Sequence, residues 1–205
     1  NLWEETYADK LHFLDDCKSM YEDKTKKRLS SMVGTNLDKI EIINGVNVEP
    51  IKDLLDKIDW NRFYNNAKPS YFHGDLQPEN IIYNSEDDKF FLIDWRETFG
   101  SSKEVGDVYY DLAKIYHALL INGNSILNGH YNYEVRIDKA YIDFYAKSNL
   151  IYFMNIFKQF CITKGYDWQS VELLGILQYL NICTLYNNFQ EGKYGKFLFL
   201  YGKYL

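Results

Sequence analysis

The chain has 205 residues, 46% of them hydrophobic, which is enough for one medium-sized domain with a sizeable core. Its formal charge of −6 excludes the dominant basic face of a general nucleic-acid binder and leans towards a neutral or cationic small partner. No apolar run approaches membrane-spanning length. The three cysteines, Cys17, Cys161 and Cys183, are scattered without a CxxC pair, which points to reduced thiols and a cytoplasmic protein.

In chain order, Trp3, Tyr7, Leu11 and Leu14 recur at helical spacing and predict a first helix, with Tyr21, Thr25, Arg28 and Met32 as a thinner continuation. The cluster Lys24, Lys26, Lys27 and Arg28 fits a solvated helix face better than a site for an anion. Asn44-Gly45 between β-branched residues predicts a hairpin over 40–48. Pro50 suits the first turn of a helix with Ile51, Leu54, Leu55 and Ile58 inward. Further helices are predicted around Val108, Leu112, Ile115 and Leu119, around Leu150 to Cys161, and around Leu173 to Leu180. No repeat or Pro-rich linker divides the chain, so residues 1–205 read as a single domain. The fold class is α+β, mainly α with small β-hairpins.

The chemistry concentrates in "YFHGDLQPENIIYNSEDDKFFLIDW", residues 71–95. "NIIY" and "FFLID" are strand-like and flank a polar turn. Asn80 and Asp94 lie equally far from its centre, so an antiparallel pair should set them opposite one another at the hairpin's open end. An amide oxygen beside a carboxylate is oxygen-only ligation, which suits Mg²⁺ better than zinc. Asp75 stands on the loop entering this hairpin, where a carboxylate can accept a proton from an alcohol.

His73-Gly-Asp75-Leu-Gln-Pro-Glu-Asn80 followed by Ile93-Asp94-Trp95 resembles the catalytic loop and metal-binding motif of the aminoglycoside phosphotransferase and choline kinase superfamily. The resemblance implies a protein kinase-like C-terminal lobe and an ATP- and Mg²⁺-dependent phosphotransferase. Its acceptor would be a hydroxyl of a small molecule: choline or ethanolamine, an amino sugar, or a sugar of surface polysaccharide. By the same resemblance Asp75 is the catalytic base, Asn80 and Asp94 hold the metal and nucleotide, and His73 braces the loop. An acid of "GDVYYDLAK", Asp111 by preference, anchors that loop. Gln77 stands where Ser/Thr protein kinases carry a phosphate-binding Lys.

Gly74 replaces the Arg of protein kinases, and the stretch from Asp94 to Asp107 is too short for a peptide platform, so a small acceptor is favoured. Arg96 suits a phosphate or acidic contact as well as a surface salt bridge. Trp95, Tyr109, Tyr110 and Tyr116 suit packing better than a cage for a quaternary ammonium. No Gly-rich loop or strand Lys is present, and the chain does not begin with Met. The expectation is therefore that it is a C-terminal lobe whose N-terminal lobe is encoded upstream. The alternative function is a non-catalytic kinase-like binding or scaffold module. A metal-dependent phosphoesterase ranks last, for want of further His and Asp ligands.

Overall fold

The computed structural model describes residues 2–205. The expected first helix does not start at Trp3. Trp3 lies in a turn, and residues 4–6 then run beside Pro69–Tyr71: Trp3 N–H donates to the Tyr71 carbonyl at 2.9 Å, and Glu5 bridges to Ser70. Helix α1 (Lys10–Lys18) begins after Asp9, whose carboxylate accepts the His12 N–H at 3.0 Å as an N-cap. Tyr7 and Leu11 are exposed, and the buried face is Phe13, Asp16 and Cys17. A cap and backbone bonding to a neighbouring segment outweigh the apolar spacing that suggested an earlier start.

A π-helical turn, Ser19–Asp23, joins α1 to α2 (Lys24–Leu29). Tyr21 and Thr25 are buried along this rod and Arg28 and Met32 half-buried, as the spacing predicts. The hairpin β1 (Ile42–Ile43) and β2 (Val46–Asn47) turns through Asn44 at φ 49° and Gly45 at φ 81°, the left-handed pair that a two-residue turn requires. Pro50 precedes α3 (Ile51–Asp56), which buries Ile51 and Leu55; α4 (Trp60–Asn66) follows.

Strand β3 (Pro69–Ser70) leads through a 3₁₀ turn, Pro78–Asn80, into the hairpin β4 (Ile81–Asn84) and β5 (Lys89–Leu92). Strand β6 (Gly106–Asp107) pairs antiparallel with β3 and runs directly into α5 (Val108–Leu120). After α6 (Gly123–Leu127) a further hairpin appears that the apolar pattern did not single out, β7 (Tyr131–Arg136) and β8 (Lys139–Phe144). Strand β1 adds parallel to β8, giving a sheet of order β2-β1-β8-β7. The Asn44 amide locks that join by bonding both the N–H and the carbonyl of Ile142 at 2.9 Å.

Helices α7 (Ser148–Thr163), α8 (Trp168–Cys183) and α9 (Lys193–Tyr204) complete the chain. Helix α8 packs between α5 and α9, and α9 buries Phe197, Leu198, Phe199 and Leu200 completely. The α+β class, mainly helical with small sheets, is thus observed. Among the described residues no helix is long and apolar enough to cross a membrane, and all three cysteines are free and buried.

Candidate functional site

Helix α5 positions the loop 73–80. Its Asp111 is fully buried, because the helix turns that face towards the loop rather than towards solvent. The carboxylate accepts the His73 N–H at 2.8 Å, the Gly74 N–H at 2.6 Å and the Trp3 indole N–H at 3.0 Å. Burial pushes the Asp111 carboxyl up, and the N–H groups of His73, Trp3 and Gly74 pull it back. Four residues earlier, Asp107 caps α5 by accepting the Tyr109 N–H, and it also takes the Lys68 N–H and the Tyr21 hydroxyl. Its complete burial raises that carboxyl to about 6.

Gly74 sits at φ 81°, and an added Cβ would lie 2.8 Å from the Phe72 ring and closer still to Arg96. His73 is buried between this anchor and Trp95, whose ring centroid is 4.7 Å away. Its Nδ1 accepts the Asp75 N–H at 3.2 Å, which places the ring proton on Nε2, a buried atom without a hydrogen-bond partner. Asn80 is buried, and its amide N–H₂ donates to the Asp75 carbonyl at 2.8 Å and towards the Asp75 carboxylate at 3.4 Å. His73, Asp75 and Asn80 therefore form one hydrogen-bonded unit.

Asp94 joins that unit differently from the way the spacing predicts. The β4–β5 register pairs Ile81 with Leu92, and the Ile93 N–H donates to the Asn80 carbonyl at 3.0 Å. Asn80 thus faces Ile93, and Asp94 lies one residue beyond the ladder, at φ 56°. The expected cross-strand pairing of Asn80 with Asp94 is corrected by this one-residue shift: the turn Ser85–Asp88 is centred half a residue before the midpoint of 80 and 94, so position 80 falls opposite 93. A left-handed backbone at a non-glycine residue costs energy and tends to mark positions held for function. It turns Asp94 into a cavity of about 240 Å³ that Asp75 also lines.

The Asp75 carboxylate has a partner that the motif did not announce. Lys114 of α5, itself buried, reaches Asp75 Oδ1 with Nζ at 2.8 Å. The pair separates two cavities. One, of about 250 Å³, also holds Gln77, Glu79 and His117. Burial, with Lys114 nearby, drives the His117 imidazole down to about 3. The other is the cavity shared with Asp94, and it is cationic: Lys24, Arg28 and Arg96 line it beside Lys114. The expected solvated face at 24–28 is half corrected. Lys26 and Lys27 are exposed, while Lys24 and Arg28, one turn apart, point inward.

Tyr110 lies buried under this cavity and takes a hydrogen bond from Lys24 Nζ at 3.2 Å. Burial pushes the phenol up, but Lys24, Lys114 and Arg96 outweigh it, and the net shift is down. Burial lowers Lys24 in turn, against the pull of Tyr110. Tyr109 is spent in the core, where its hydroxyl accepts the Asp167 N–H. Tyr110 is already flanked by cations, so neither ring is free to wrap a quaternary ammonium.

The residues at 73–80 were legible as a motif and Tyr110 as one of several rings near it; Lys114 as the partner of Asp75 was not. One signal was available. Asp107, Asp111, Lys114 and His117 recur along α5 at helical spacing on a face that also carries core residues, and buried polar groups at such positions need partners.

No protein-family model matches the chain, and no curated protein or solved structure is significantly similar to it.

Proposed function

We propose that the protein transfers the γ-phosphoryl group of ATP to a hydroxyl of a small molecule, using a kinase-like C-terminal lobe in which Asp75 faces the acceptor. The observation that carries this reading is the placement of the Asp75 carboxylate. Its loop is bolted to α5 through Asp111, and its oxygens meet two cavities. In the step, the acceptor oxygen bonds to the γ-phosphorus while the bond from that phosphorus to the β–γ bridging oxygen breaks. ADP leaves, and the hydroxyl proton passes to Asp75. Holding the alcohol in line is what such a loose transition state asks of the protein, and a carboxylate fixed on both sides supplies it.

The donor set fits Mg²⁺ carried in with the nucleotide. Asn80 Oδ1 and the exposed Asp94 carboxylate take no hydrogen bond among the described residues. Those residues hold no cluster of three or more His, Cys, Asp or Glu that would cage an ion alone. Magnesium favours such sparse oxygen ligation, completed by waters and phosphate oxygens, and it would neutralise charge on the transferring group. Lys114 keeps Asp75 aimed between the cavities, and His73 fixes the loop from beneath.

The test is label transfer on the full gene product. With γ-labelled ATP, Mg²⁺ and a hydroxylated small-molecule pool, the label should appear in a phosphate monoester and vanish on chelation. Label released only as inorganic phosphate would favour the phosphoesterase. Nucleotide binding without any transfer would favour the scaffold module.

A further inference from the structure

We propose that the cationic cavity beside Asp75 and Asp94 receives an acceptor that itself carries an anionic group, a carboxylate or a phosphate ester, next to the hydroxyl. The hydroxyl half of this assignment rests on the phosphotransfer reading, whereas the anion half rests on the cavity alone. Four cationic side chains, Lys24, Arg28, Arg96 and Lys114, meet there against two carboxylates. The excess runs against the chain as a whole, whose formal charge is −6.

The positive charges are also unspent. Among the described residues only Lys114 of the four has a carboxylate partner, Asp75. Lys24 bonds the Tyr110 hydroxyl, Arg28 donates to the Asn181 carbonyl at 3.1 Å, and Arg96 donates through Nε to the Thr98 carbonyl at 2.9 Å. Three of the four cations stand within about 6 Å of the Tyr110 ring, Lys24 at 4.9 Å, Arg96 at 5.9 Å and Lys114 at 6.0 Å from its centroid. Like charges gathered around one half-enclosed space repel each other unless an anion enters. Two guanidinium groups with free N–H donors supply the forked geometry that carboxylate and phosphate oxygens accept.

The cavity opens on the Asp75 carboxylate. An acceptor held by its anionic end against Arg28 and Arg96 would therefore carry its hydroxyl towards the base. A choline-like acceptor is disfavoured by the same cluster.

The experiment is calorimetric titration of the protein, without nucleotide or metal, with four small hydroxylated probes: glycerol 3-phosphate, glycerate, glycerol and choline. Binding of glycerol 3-phosphate or glycerate is expected, the stronger of the two identifying the anion, with no binding of glycerol or choline. Arg28→Gln should weaken that binding by about tenfold or more, the worth of one charge-assisted pair. Arg96→Gln should do the same, and because Arg96 is exposed it covers the case in which the Arg28 variant fails to fold. Lys27→Gln, on the outer face of the same helix, should change nothing. Choline binding without anion binding, no anion binding at all, or binding insensitive to both arginine variants would overturn the assignment. So would ADP that displaces glycerol 3-phosphate and shows the same arginine dependence, since the cavity would then serve the nucleotide. Failure of the phosphotransfer reading shows up separately, as absent label transfer whatever binds here.

Discussion

Asp75 and Lys114, thirty-nine positions apart in the chain, meet at 2.8 Å across the wall between two cavities. The lysine is buried and the carboxylate about one-third exposed, so the pair is shielded on one side and presented on the other. Lys114 fixes where the carboxylate points. Replacing it by Met, which keeps the stem and removes the charge, should lower transfer by about 10- to 100-fold, or roughly 1.4 to 3 kcal/mol of barrier. Comparing kcat/KM of the Lys114→Met variant with wild type, with circular dichroism as the check on folding, measures this.

Asp111 holds the loop itself. In Asp111→Ala the N–H groups of His73 and Gly74 and the Trp3 indole lose their acceptor inside the protein. At about 1–3 kcal/mol for each buried unsatisfied donor, the variant should lose roughly 3 kcal/mol or more of stability. Asp111→Asn retains an acceptor oxygen and should lose less. Urea denaturation of the two variants beside wild type reads the difference, and equal stability of all three would refute the anchor.

Gly74 tests how tightly that loop is packed. Its φ of 81° and its approach to Phe72 and Arg96 leave no room for a side chain. Gly74→Ala should therefore cost about 1–3 kcal/mol and displace Arg96 from the cavity. Loss of stability together with weaker anion binding is the expected result from thermal melts and titration.

The loop 73–80 and its neighbours also show what the sequence could and could not reveal. The order His73, Asp75, Asn80, Asp94 was readable because these residues share one short stretch of chain, and so was the Asn44-Gly45 turn. Lys114 was not, because its partner lies on another element and only the docking of α5 brings them together. Lys24 and Arg28 looked like part of a solvated run until the α1–α2 rod was seen to turn one side of it inward. Helix α9 escaped notice for a different reason: from Phe197 to Lys203 every residue is buried, so over those turns no exposed polar face marks it. The Asn80–Asp94 pairing failed by one residue, since their midpoint lies half a residue from the turn's centre and a ladder admits only whole-residue registers.

Two carboxylates should give stability slopes of opposite sign. Asp167 accepts both arms of Arg62 at 2.8 Å and caps α8 through Ser170. The Arg62 hydrogen bonds hold it down at about 2, below its usual 3.8. A depressed carboxyl stabilises the fold above its unfolded pKa and loses that contribution as pH falls from about 4 towards 2. The pair is partly exposed, so the contribution is about 1–2 kcal/mol after solvent screening. The difference in stability between wild type and Asp167→Asn should shrink over that window.

Asp107 runs the other way. Burial raises it to about 6, so its contribution favours the fold below pH 4 and is lost as pH rises through 6, on the order of 3 kcal/mol in all. Asp107→Asn should flatten that decline between pH 4 and 6. An unchanged slope would mean that the carboxyl ionises without penalty.

The most direct measurement is the rate of label transfer from ATP by Asp75→Asn beside wild type, at saturating Mg²⁺ with the best acceptor. Asn keeps the side chain's size while removing its charge and its capacity to take a proton. The rate should fall by about 10²- to 10⁴-fold while the melting temperature stays close to that of wild type. Equal rates from the two proteins would contradict the account.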